Sequence, residues 1–227
     1  MRAAYADSSV LNIGASGCAY LQGTEFWNDG EPARRNLCPL LIGAAYRAIT
    51  PDTRLVVLAA RNTIYIAVGP EGHFSSPDFP LAGPIEVFER SLARDLRRLL
   101  EADREVILVL QVPELDFLPQ RCLHQRPIER VLAKREATCG VPRMAVERRQ
   151  ASYRAAISRV VSALADPDLH VVDPMDALCD GRDCHAMIDG KSMYRDSDHL
   201  SEAGSLYVWE KIRPRALRTF APPSAFP

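Results

Sequence analysis

Apolar residues run unbroken through Leu55-Val56-Val57-Leu58-Ala59-Ala60 and through Val106-Ile107-Leu108-Val109-Leu110. The first, without polar alternation, reads as a strand covered on both faces, as in parallel sheets, and the second, within Glu105 to Val112, as the clearest strand. Val10 to Gly14 reads as a shorter buried strand that ends in the glycines of Gly14-Ala15-Ser16-Gly17. Leu169 to Asp173 reads as another, stopped by Pro174. Between these runs the spacing becomes helical. Arg34 to Ile49 reads as a helix, and Pro84 opens another at a position proline favours. Ile85, Phe88, Leu92, Leu96, Leu99 and Leu100 fall on one face of that second helix. Arg143 to Leu164 predicts a long helix burying Tyr153, Ile157, Val160, Val161 and Leu164. Residues 66–83 are rich in Gly, Pro, Ser and Asp and read as a loop. A longer irregular segment carries Pro113, Pro119 and Pro127. Met187 to Tyr194 reads as a hairpin turning on Asp189-Gly190. Ser201 caps a last helix through about Leu217, and residues 218–227 form a proline-rich tail.

Strands alternating with amphipathic helices predict one α/β domain over residues 1–227, three layers deep, with a mostly parallel sheet. Chemistry in such sheets gathers beyond the carboxyl ends of the strands. The Gly14 turn, Asn62 and the loop holding Asp196 all fall there.

The chain has 227 residues, 47% hydrophobic and 25% charged, with a net charge of -1. That balance gives no basic surface for nucleic acid, and no apolar run reaches the length of a membrane span. Met1 to Asp7 does not read as a signal peptide, because no apolar core follows Arg2. The six cysteines point elsewhere. They fall into sequence-local pairs in turn-rich stretches: Cys18 with Cys38, Cys122 with Cys139, and Cys179 with Cys184. An even count in loops reads as a disulfide framework from an oxidising compartment. Reduced thiols, or a metal site made from Cys179, Cys184 and His185, are the alternatives, and the latter lacks a clear fourth ligand.

The densest chemistry lies in Tyr194-Arg195-Asp196-Ser197-Asp198-His199-Leu200-Ser201, closed by Gly204. A carboxylate three residues before a histidine can hold one ring nitrogen and leave the other to take a proton. A structural pair at the start of the last helix is the plain alternative. Asp198 reads as a solvated neighbour, and Asp173 or Asp176 could replace Asp196. His73, His124, His170 and His185 read as surface or loop residues, and Arg97-Arg98 and Arg148-Arg149 as solvated helix faces.

The sequence resembles the SGNH (GDSL-like) hydrolase superfamily. In particular it resembles the periplasmic SGNH domain fused to acyltransferase-3 membrane proteins that modify surface glycans. The resemblance rests on Ser16-Gly17-Cys18, Val56 to Arg61, Val109-Leu110-Gln111-Val112-Pro113-Glu114, Leu178-Cys179 to Cys184, and above all Tyr194 to Ser201. It implies a flavodoxin-like fold and a Ser-His-Asp acyl ester hydrolase or O-acyltransferase acting on cell-surface glycans such as lipopolysaccharide. It also implies a place on the periplasmic face of the bacterial inner membrane. The partners would be an acyl donor, a glycan acceptor and an N-terminal acyltransferase-3 membrane domain, with no metal or organic cofactor. By the same resemblance His199 is the base, Asp196 its orienting acid, and Gly17 and Asn62 the oxyanion donors.

The family's Gly-Asp-Ser block finds only Ala6-Asp7-Ser8-Ser9, with no strand before it. The resemblance therefore implies a chain without the first, central strand of the 2-1-3-4-5 order, and without the nucleophile that strand carries. Met1 to Ala6 then reads as the end of the helix before the Val10 strand. The Val10 and Leu55 strands would lose their shared neighbour, and the short polypeptide would be unstable or rearranged, and inert. A glycan-binding pseudoenzyme and a cytosolic Cys/His metal-binding protein are the competing readings.

Overall fold

The computed structural model describes residues 9–14, 16–67, 72–123 and 139–213. Ser8, His124 and the tail from residue 218 lie outside them. Chain order runs β1 (Glu25–Asn28), a 3-10 turn (Pro32–Asn36), α1 (Leu37–Arg47), β2 (Leu55–Ala59), α2 (Thr63–Ile66), β3 (Gly72–Ser75) and α3 (Pro84–Leu100). It continues with β4 (Glu105–Val109), α4 (Gln120–Leu123), β5 (Gly140–Pro142), α5 (Arg143–Leu164), β6 (Leu169–Val172) and α6 (Met175–Leu178). The last elements are β7 (Asp183–His185), β8 (Met187–Ile188), β9 (Lys191–Ser192) and α7 (Glu202–Ile212).

β2, β4 and β6 form a parallel sheet in that order, with Val57 opposite Ile107 and Ile107 opposite His170. Side chains alternate across the sheet, so each strand feeds two cores. Val56, Leu58, Val106, Leu108 and Leu169 face α3 and α5, meeting Phe88, Leu92, Leu96, Tyr153 and Ile157. Leu55, Val57, Ile107, Val109 and Val172 face the other way, onto Trp209 and Ile212 of α7. These are the three layers that the alternation of strands and helices implied. Pro84 takes the first position of α3 after an extended Gly83. α5 spans the full Arg143–Leu164 stretch that the spacing predicts.

Three expectations need correction. Val10 to Gly14 is not a strand: its described residues are irregular, and Leu11 is 70% exposed. β2 is not covered on both sides either. It is the outer strand of the sheet among the described residues, and Leu55, Val56 and Val57 are only half-buried. Both departures have one cause. A strand needs a neighbour for its backbone groups and side chains, and among the described residues neither segment has one on that side. The stretch 66–83, read as a loop, contains β3, which pairs antiparallel with β1. β1 itself escaped notice because Glu25-Phe26-Trp27-Asn28 is too short to show a period. In smaller departures, Ile85 lies on the exposed side of α3, and α7 ends at Ile212 rather than near Leu217.

A second core holds the carboxyl end of the domain together. Leu115, Val141, Val146, Met175, Leu178, Met193, Tyr194 and Val208 bring together α5, α6, α7 and the β8–β9 hairpin. The hairpin turns through Asp189 and Gly190, both at positive φ, as an Asp-Gly turn requires. The three cysteine pairs are bridged as the spacing implied. Cys18–Cys38 ties the segment before β1 to α1, Cys122–Cys139 ties α4 to the approach to β5, and Cys179–Cys184 closes the α6–β7 loop. The Cys179 and Cys184 thiols are thus spent, and His185 bonds Asp180 at 2.9 Å. That removes the metal site drawn from these three residues.

Candidate functional site

The loop from Met193 to Ser201 is closed by backbone bonds before any side chain acts. Arg195 N donates to His199 O (2.9 Å), and Ser201 N donates to Met193 O (2.9 Å). The Ser201 hydroxyl accepts from Gly204 N (2.9 Å), capping α7, and donates to Ser192 O (2.7 Å). Gly204 is there for space: a Cβ would lie 1.9 Å from the Met193 carbonyl oxygen. The His-Leu-Ser-x-x-Gly pattern thus encodes a loop pinned to the first turn of a helix.

Inside this loop Asp196 Oδ1 accepts from His199 N (2.8 Å) and Asp198 N (3.1 Å), and the His199 ring turns back onto it. Nδ1 lies 2.9 Å from Asp196 Oδ1 and 3.1 Å from Oδ2. Nε2 makes no hydrogen bond among the described residues, and the side chain is 63% exposed. Partial burial works against the Asp196 charge. The amides of Asp198 and His199 and the His199 ring outweigh it, and hold the carboxyl well below its ordinary value of 3.8. A depressed acid stabilises the fold above its unfolded value and loses that contribution only as pH falls through the folded one. The Asp196 carboxyl carbon is therefore expected to keep its ionised chemical shift from neutral pH to below about pH 4. A titration midpoint at or above 3.8 contradicts this.

Asp198 is not the solvated neighbour its position suggested. Its side chain is 13% exposed, its Oδ1 lies 3.1 Å from His199 Nδ1, and its Oδ2 pairs with Arg61 Nη1. Arg61 also donates through Nε to Glu114 (2.7 Å), whose side chain is 5% exposed. Arg149 Nη1 donates to Glu114 O (3.0 Å). Leu115 N donates to Ser197 O (2.8 Å), joining the segment after β4 directly to the loop. Asp196, Asp198, His199, Arg61 and Glu114 therefore form one connected cluster beyond the carboxyl ends of β2 and β4. Arg61 and Glu114 lay within stretches that the sequence already marked, and an isolated arginine and glutamate after two strands were the available signal. Asp173, the other acid the sequence offered, is held in a two-pronged pair with Arg154 (Nη2 to Oδ1, 3.0 Å).

Asn62 follows Arg61 and is wholly buried. Neither atom of its amide has a hydrogen bond among the described residues, and it does not cap α2. The Tyr20 hydroxyl comes close enough to feel that amide yet makes no aligned bond with it. A buried amide left this way costs about 1–3 kcal/mol. Gln111 fastens the next residue, accepting from Thr63 N (2.9 Å) and donating to the Thr63 hydroxyl (3.0 Å). Gly17 stands at φ 71°, three residues before Tyr20. Asn62 neighbours Arg61, which reaches the His199 loop through Asp198, whereas among the described residues no hydrogen bond or ion pair joins Gly17 to that loop.

Tyr194 is buried beside the hairpin, as its place in the sequence suggested. His73 bonds Asp29 at 2.6 Å and stacks on Trp27, and His170 pairs with Glu105 at 2.8 Å. Both are structural, and among the described residues no serine meets Nε2 of His199.

A family model described as the SGNH domain fused to AT3 domains matches residues 2–214. Among curated proteins nothing matches the chain. Among solved structures, the lipopolysaccharide acetyltransferase periplasmic domain of Salmonella ser. Paratyphi A is similar at 15% identity with a TM-score of 0.48, over 85% of this chain and 66% of that one. A Streptococcus pneumonia structure named for platelet activating factor is similar at 13% identity with a TM-score of 0.36, over 70% of this chain and 57% of that one. The chain thus spans less than two thirds of either.

Proposed function

Because the chain belongs to the family of SGNH domains fused to AT3 domains, we propose that it is the soluble half of a machine that places or removes acyl groups on cell-surface glycans. His199 acts as the base, and the observation that carries this is its Nδ1 held on Asp196 in an exposed side chain whose Nε2 has no hydrogen bond among the described residues. A serine hydroxyl brought to Nε2 gives up its proton there as its oxygen attacks an ester carbonyl. The proton then passes to the departing alkoxide, and a sugar hydroxyl or water attacks the acyl-serine to complete transfer or hydrolysis. Asp196 keeps the ring in the tautomer that leaves Nε2 bare, and stabilises the imidazolium. The unpaired Asn62 amide is the candidate side-chain donor to the oxyanion, with the Gly17 N–H as the candidate backbone donor. Such a donor is worth about 3 kcal/mol at the barrier. Three bridged cysteine pairs fit an oxidising compartment such as the periplasm. Among the described residues no helix is long and apolar enough to cross a membrane; the AT3 domain that the family description names is the proposed membrane partner.

The unpaired side of β2 supports a nucleophile carried on a strand laid there, outside the described residues. That strand would sit beside Arg61 and Asn62 at its carboxyl end, where a serine would meet the His199 loop. A second reading is a glycan-binding domain with no chemistry of its own.

One experiment separates the two. The 227-residue chain is compared with a form extended by roughly 40 residues of upstream coding sequence, enough for a strand and its helix. The extended form is expected to melt higher and to hydrolyse an aryl acetate, while the short form does neither. Equal melting, with hydrolysis by the short form, overturns the missing-strand account. An extended form that binds glycan and stays inert favours the second reading.

A further inference from the structure

We infer that Arg61 is a positioning residue for His199, and that it acts through Asp198. This rests on the reading of His199 as the base. The geometry behind it is a bridge. Arg61 holds Asp198 Oδ2 with one arm and Glu114 Oε1 with another (2.7 Å), while the other oxygen of Asp198 lies 3.1 Å from His199 Nδ1. Nδ1 thus has two carboxylates beside it: Asp196, which it hydrogen-bonds inside its own turn, and Asp198, which lies at ion-pair distance from the side.

Two carboxylates converging on one ring nitrogen repel each other unless a cation stands behind one of them. Arg61 is that cation for Asp198. Arg195 lies 3.4 Å from Asp196, but its side chain is 70% exposed and its attraction is screened. Arg61 differs because its second partner is fixed. Glu114 is buried, follows β4, and is braced by Arg149 from α5. A planar guanidinium can grip two carboxylates at set angles, which an ammonium cannot do. The bridge therefore transmits the position of the sheet's carboxyl end to a ring that sits on a loop. The charged groups around the ring are Asp196, Asp198 and Arg195 from the loop, Arg61 from the end of β2, and Glu114 and Arg149 behind it.

The test reads the ring itself and needs no turnover. Nitrogen-15 spectra of the 227-residue chain are expected to show the neutral ring protonated at Nδ1, with that proton slow to exchange. In Arg61→Ala the proton is expected to exchange roughly tenfold faster, and the ring to populate both tautomers, as follows from losing one charge-assisted contact. Arg61→Lys keeps the charge without the two-pronged grip and is expected to fall between. Asp198→Asn, which keeps the side-chain shape, is expected to reproduce the Arg61→Ala spectrum. It also decides the matter if Arg61→Ala fails to fold. A wild-type tautomer and exchange rate in Asp198→Asn, or in a folded Arg61→Ala, overturns the inference. Turnover by the extended protein that depends on His199 while Arg61→Ala leaves the ring unchanged sinks this inference alone. Ring spectra as expected with no turnover in the extended protein sink the catalytic reading and leave the bridge standing.

Discussion

A Gly204→Ala variant is expected to lose about 3 kcal/mol of stability, the upper part of the range for forcing extra atoms into a packed site. The added methyl would lie 1.9 Å from the Met193 carbonyl oxygen and 2.7 Å from its carbon, which are backbone atoms that no rotamer change can move aside. The same carbonyl accepts from Ser201 N, so α7 would have to retreat from the loop it caps. Retreat also pulls Val208 out of the core shared with Met193 and Tyr194, and Trp209 and Ile212 away from the sheet. Denaturant unfolding reads the loss directly. Gly181→Ala is the control, since nothing lies within 4 Å of its added methyl. Its stability is expected to stay within about 0.5 kcal/mol of the parent. A Gly204→Ala protein as stable as that control would show that the Met193–Gly204 approach is not tight.

The largest functional effect is expected from His199→Ala in the extended protein. Removing a positioned base costs about 10²- to 10⁴-fold in rate, measured as kcat for an aryl acetate. Stability should barely move, because the ring is largely exposed and Asp196 keeps its two backbone amides without it. Asp196→Asn is expected to lower kcat as well, since an amide can turn its NH₂ toward Nδ1 and favour the wrong tautomer. Hydrolysis that survives His199→Ala unchanged would remove this histidine from the chemistry and leave the pair as a structural cap on α7.

Sequence alone determined the elements whose cause is local. The apolar runs at Leu55 and Val106 became strands because nothing polar interrupts them, and α3 and α5 formed where helical spacing was sustained for several turns. Asp196 and His199 were legible for the same reason: they stand three positions apart, and a turn of that length brings the side chains together whatever surrounds it. The cysteine pairs were legible because each closes a short loop. Val10 to Gly14 failed because a strand is a property of two neighbours, and its hydrophobicity could not say whether a neighbour was there. β1 and β3 were missed on the same ground, since their antiparallel pairing joins residues 25–28 to residues 72–75 across α1, β2 and α2.

What only the tertiary structure decided is the surroundings of the ring. Asp198 was read as solvated because its immediate neighbours are polar. Its partner stands 137 positions earlier in the chain, at the end of β2, and it takes the β2–β4 pairing to bring Arg61 and Glu114 within reach. Asn62 likewise reads as a turn residue until burial shows its amide enclosed and unpaired. Short-range chemistry is written in spacing, because a few bonds fix the geometry. Long-range charge pairing is not, because the attraction between two ions depends on a separation that the fold alone sets.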